Sequence, residues 1–146
     1  MVEKEIVLDK DSLLYEIENV VDKISRSRDE QNIQVQADET EQDRAITMRS
    51  IDNSINVVRS KMRAYVVDDG EGIKLQFPDE WKASVFPDLV VSIQEYVINA
   101  GICDWLRVTL PREAREYGER AEVCLGRVKS CVTARAVCVR RPLQPF

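Results

Sequence analysis

"FPDLVVSIQEYVINAGICDWLRVTLP", residues 86–111, decides the fold. Pro87 suits the first turn of a helix, where its missing N–H has no partner to lose. Leu89, Val90, Ile93, Tyr96, Val97, Ala100 and Cys103 then recur at helical spacing along one broad side. Ile98, Ile102, Trp105 and Leu106 carry apolar character around much of the remainder. A helix apolar on most sides must be enclosed by others, so the spacing predicts a central helix. Gly101 sits mid-helix, where glycine costs up to ~1 kcal/mol relative to alanine, and it marks a close helix contact. Glu95, Asn99 and Asp104 share this helix and need partners wherever they face inward. The break is "TLP": Thr109 or Leu110 precedes Pro111 at a new helix start.

Beyond that break, "PREAREYGERAE" loads acids into the opening turns, as a helix dipole favours. Ala114, Tyr117, Ala121, Cys124, Val128, Cys131 and Arg135 follow at alternating steps of three and four. Pro142 and Pro145 forbid a regular helix further on, so residues from about 136 to 146 read as an extended arm.

Upstream, Ile73, Leu75 and Phe77 alternate with Lys74 and Gln76 after the acidic, glycine-containing "DDGEG". This predicts a β-hairpin over about residues 65–77, although Tyr65 can also close the preceding helix. "DDGEG" lacks the D-x-D-x-D-G spacing and distal glutamate of a calcium loop. A short helical turn is expected at Asp79–Ala83. Before the hairpin, Met48, Ile51, Ile55, Val58, Met62 and Tyr65 form a narrow seam on a long amphipathic helix, with Thr40 as cap and Asp43 three residues on. A seam of barely three heptads packs inside a bundle more readily than it forms a coiled coil. "RDEQNIQVQADE" reads as a loop. The first helix takes Asp9 or Asp11 as N-cap, carries Leu13, Leu14, Ile17, Val20, Val21 and Ile24, and ends near Arg28. The expectation is therefore one all-α domain over residues 1–146: a four-helix bundle-like body, a small β-hairpin insertion and an extended C-terminal arm.

"CLGRVKSCVTARAVCVRRP", residues 124–142, places cysteines at 124, 131 and 138. Residues seven apart share a helix face but lie about 10 Å apart along the axis. Cys124 and Cys131 can then neither form a disulfide nor share a tetrahedral zinc, and no C-x₂₋₄-C pair is present. They read as small hydrophobes in a packed seam, while Cys138 lies beyond the expected helix end. No metal or cofactor is expected.

The chain has no histidine, which removes the commonest general base, metal ligand and partner of a nucleophile. Glu95 and Asp104 are the best local carboxylate pair, yet no phosphate loop or oxyanion motif accompanies them, so no enzyme is expected. A pI near 4.9 argues against nucleic-acid readout. No apolar run approaches the ~18 residues of a membrane span, and "MVEKEIVLDKDS" lacks the order of a signal peptide. A cytosolic protein with reduced cysteines is expected. The net charge of -5 is uneven: residues 112–146 carry 8 Lys/Arg against 4 Asp/Glu, whereas residues 1–111 carry 13 against 22.

The order of elements, with "FPDLVVSIQEYVINAGICDWL", the "TLP" break and "AREYGERAEVCLGRVKSCVTAR" ending in "RRP", resembles the small helical connector proteins of tailed bacteriophages and prophages, also called head-tail adaptor or head-completion proteins. The similarity covers roughly residues 40–142 and lies in pattern. It implies a structural protein whose copies form a homo-oligomeric ring at the portal vertex, between portal and tail proteins, in the host cytoplasm and then in the virion. On this resemblance Met48, Ile55 and Met62 of the seam, Asp69 and Ile73 of the hairpin, and Arg140 and Arg141 of the arm would meet neighbouring subunits. An acidic body would suit nonspecific proximity to sliding DNA. The competing expectation is a non-viral helical module that binds a protein partner through the seam at Met48–Tyr65.

Overall fold

The computed structural model describes residues 1–29, 41–68 and 72–136. In chain order it contains strand β1 (Val2–Ile6), helix α1 (Lys10–Asp29), helix α2 (Glu41–Lys61), strands β2 (Val66–Asp68) and β3 (Ile73–Phe77), a 3-10 turn (Ala83–Val85), helix α3 (Phe86–Leu106) and helix α4 (Pro111–Thr133). One continuous buried cluster draws on every helix and on β1 and β3.

α3 is the central helix. Leu89, Ile93 and Val97 are fully enclosed, and α1, α2 and α4 all pack against it. The contact expected at Gly101 is with α1: a Cβ there would lie 2.5 Å from Ile17 Cδ1, so a larger residue would force this buried side chain to shift. α1 begins where Asp9 accepts hydrogen bonds from the backbone N–H groups of Asp11 (3.1 Å) and Ser12 (3.4 Å). That identifies Asp9 as the cap, satisfying two of the helix's orphan donors. The expected cap at Thr40 lies outside the described residues.

The seam of α2 faces inward, with Ile51, Ile55, Val58 and Met62 buried and Met48 and Tyr65 half-buried. Three small hydroxyl residues, Thr47, Ser50 and Ser54, are buried as well. Ser54 donates to the Ser50 carbonyl at 2.9 Å, which answers one otherwise costly buried hydroxyl. Tyr65 lies beyond the helix, its N–H donating to the Met62 carbonyl at 2.8 Å.

The expected hairpin is present as β2 and β3, but the sheet is larger than a hairpin. β1 adds a third antiparallel strand, in the order β1-β3-β2, with Val2 opposite Phe77 and Ile6 opposite Ile73. The fold is therefore mostly helical, as expected, with a small three-stranded sheet where only a hairpin was expected. Ile6, Ile73, Leu75 and Phe77 turn one face of the sheet into the core, while Lys74 faces out. The sequence carries no local sign of β1, because its pairing partner lies some seventy residues away.

Two further boundaries differ from expectation. The helical turn expected at Asp79–Ala83 is instead a turn closed by the Trp81 N–H on the Pro78 carbonyl, followed by the 3-10 turn at Ala83–Val85. α4 stops at Thr133 because Ala134 turns extended, with φ -63° and ψ 137°. Its buried face is also wider than the seam, since Leu125 and Val132 join Ala114, Ala121, Cys124 and Val128.

Candidate functional site

The C-terminal end of α4 is fastened to the start of the β3–α3 connection. The Lys82 N–H donates to the Ala134 carbonyl at 3.1 Å, and the Ala136 N–H donates to the Glu80 carbonyl at 2.7 Å. Arg135 thereby sits opposite Trp81 in an isolated antiparallel bridge. Trp81 is 2% exposed; its ring stacks on Phe77 at a centroid distance of 3.9 Å, and its indole N–H donates to the Cys131 carbonyl at 2.9 Å. Phe77 in turn meets Tyr65 at 5.2 Å. The aromatic row Tyr65, Phe77 and Trp81 thus couples the sheet to the end of α4. Its large apolar area and satisfied indole N–H anchor residues 134–136 on the body.

The seam and hairpin residues are placed differently from a contact surface. Ile55 (5% exposed), Met62 (0%) and Ile73 (2%) are enclosed by the chain's own core, and Met48 is half-buried against it. Apolar side chains already withdrawn from water have little left to gain from a partner, so a subunit contact through these three would require them to leave the core. A partner-binding role for the seam would likewise require these side chains to leave the core. Asp69, Arg140, Arg141 and Cys138 lie outside the described residues.

The carboxylates Glu95 and Asp104 are not brought together. Asp104 accepts a 2.5 Å hydrogen bond from Ser50 of α2 and lies 3.4 Å from Arg107. Glu95 faces α4, with Arg127 at 3.7 Å and the Cys124 thiol donating at 3.8 Å. Each is held by a structural partner on a different side of α3. Burial is the main influence raising the Tyr96 phenol, helped by the negative charges of Glu122 and Asp104.

Cys124 is buried in the α3–α4 interface, as its place in the seam implied, and Cys131 is half-buried. Burial, chiefly, lifts both thiols, with Glu95 adding to the effect at Cys124 and Asp88 at Cys131. A raised thiol is mostly protonated near neutrality and is a poor nucleophile or metal ligand. Among the described residues no group of three or more Cys, Asp or Glu side chains is placed to hold a metal ion. Among those residues, too, no helix is long and apolar enough to cross a membrane.

Sequence reasoning missed the Trp81–Arg135 clip. Trp81 follows a proline-acid turn and precedes the central helix, and a lone tryptophan there was the available signal. Its partner carbonyl, at Cys131, belongs to the backbone and leaves no trace in residue type. Comparison with protein-family models, curated proteins and solved structures finds no match.

Proposed function

We propose that this chain is a structural, non-enzymatic virion protein, a head-tail connector subunit of a tailed bacteriophage or prophage that assembles as a ring at the portal. The observation that carries the proposal is the fastening of residues 134–136. The backbone of Ala136 is tied to Glu80 beside the fully packed Trp81, and the sequence that follows it carries Arg140 and Arg141. A segment leaving a rigid anchor meets a neighbour with less loss of freedom than one leaving a loose end, which favours ordered assembly. Three other features support the reading. They are the resemblance in the "FPDLVVSIQEYVINAGICDWL" and "AREYGERAEVCLGRVKSCVTAR" helices, the helical body itself, and the structural engagement of Glu95 and Asp104. On this reading the protein is made in the host cytoplasm and then carried in the virion, where an acidic body lets DNA pass without adhering.

Quantitative mass spectrometry of purified tailed particles from the source culture tests the proposal. The expected result is this chain in a fixed whole-number ratio to the portal subunit. Its exclusion from particles that contain portal, capsid and tail proteins would overturn the assignment.

A further inference from the structure

The outer face of the α3–α4 hairpin carries an open groove. Its central part, a pocket of about 440 Å³, lies between Glu95 and Asn99 of α3 and Glu116, Glu119, Val123 and Arg127 of α4. It continues past Glu95 and Arg127 to Asp88 and Cys131 at one end, and past Glu119 to Cys103 and Pro111 at the other. The walls come close at Gly118, where a Cβ would lie 3.3 Å from Cys103 Sγ. Val91 and Val123 are 48% and 58% exposed along it. Glu95 is engaged by Arg127, and the Arg120 guanidinium lies over the Tyr117 ring at 4.8 Å. Glu116 and Glu119, both exposed and three residues apart, therefore present two carboxylates on one stretch of the wall.

We infer that this groove receives the C-terminal segment, residues 137–146, of a second copy of the chain. The lengths agree: the groove follows α4 from Pro111 to Cys131, about 30 Å at the helical rise, and ten extended residues span at most about 36 Å. The chemistry agrees as well, since the adjacent Arg140 and Arg141 match the paired carboxylates, and Val137, Val139, Leu143 and Phe146 match the exposed valines. Pro142 and Pro145 exclude a helix and lower the ordering cost of an extended peptide. Ala136 is tied to Glu80, which lines no part of the groove, and the choice of a second copy over the chain's own tail follows from the self-association proposed above. The inference deepens the assembly reading above and rests on its self-association.

Charge reversal in the full-length chain tests it, read by sedimentation velocity over a concentration series. Glu116→Lys with Glu119→Lys, and separately Arg140→Glu with Arg141→Glu, should each raise the dissociation constant of self-association roughly tenfold, because two exposed ion pairs become repulsive. Mixing the two reversed chains should restore association, since each tail then finds a complementary groove on the other chain. Circular dichroism and melting temperature, expected to be unchanged, control for folding. If the parent chain associates and neither reversal matters, the groove inference is overturned while self-association stands. Reversals that weaken association without rescue on mixing overturn the exchange between copies. A parent chain still monomeric at about 1 mM, too weak for any specific contact of this kind, overturns the inference and leaves the particle-composition test of the function to stand separately.

Discussion

Replacing Gly101 by alanine probes the close approach of α3 to α1. Two opposing effects can be worked from the structure. Alanine stabilises a helix interior by about 1 kcal/mol relative to glycine. The new Cβ, however, would stand 2.5 Å from Ile17 Cδ1, and Ile17 has no exposed surface into which to withdraw. Such overpacking costs about 1–3 kcal/mol, so Gly101→Ala should destabilise the protein by about 1 kcal/mol net. Ile17→Val alone removes the same Cδ1 and should cost about 0.5–1.5 kcal/mol. Together the two changes remove the clash: the nearest remaining Ile17 atom is Cγ1 at 3.4 Å, ordinary packing distance. The double variant should then lie within about 0.5 kcal/mol of the parent, a coupling of about 1.5 kcal/mol in the favourable direction. Urea unfolding followed by far-ultraviolet circular dichroism measures all four proteins. Additivity within about 0.3 kcal/mol, or a Gly101→Ala variant more stable than the parent, would refute the packing of α1 on α3 described above.

Asp9→Ala removes the side-chain acceptor for the Asp11 and Ser12 N–H groups and should lower stability by about 1 kcal/mol in the same assay, with Asp9→Asn retaining most of it. Trp81→Phe keeps an aromatic ring over Phe77 but loses the indole N–H to the Cys131 carbonyl. A cost of about 1 kcal/mol is expected, with hydrogen exchange at the Ala136 amide accelerating before that of the helix interiors. Alkaline titration follows from the raised Cys124, Cys131 and Tyr96. The folded state holds these protons longer than the unfolded state, so their contribution is intact below the ordinary thiol value of 9.0. It is lost as pH rises past 9.0 and then past the phenol's 10.0, and stability that instead increased above pH 9 would contradict these environments.

The helices were largely legible in the sequence because their signals are local. Proline at the start of α3, the seam of α2 and the three-four rhythm of α4 each act within a few residues, and burial follows them closely. Gly101 announced a close contact by its position, though not that Ile17 of α1 supplies it. What escaped was long-range and carried by backbone. β1 became a strand only by pairing with β3, and the Trp81–Arg135 clip joins main-chain groups whose residue types say nothing of the bond. Ile55, Met62 and Ile73 show the same limit from the other side: an apolar seam looks alike whether it meets its own core or a neighbour. Cys124 illustrates how a repeat that resembles ligand spacing resolves into packing once one helix carries it.

The proposed assembly on a portal is tested by native mass spectrometry of the full-length chain mixed with a portal ring purified from the same source. A discrete complex holding a ring of this chain on the portal is expected, lost when Arg140 and Arg141 are reversed. A portal ring of unchanged mass at saturating concentrations of the chain would contradict it.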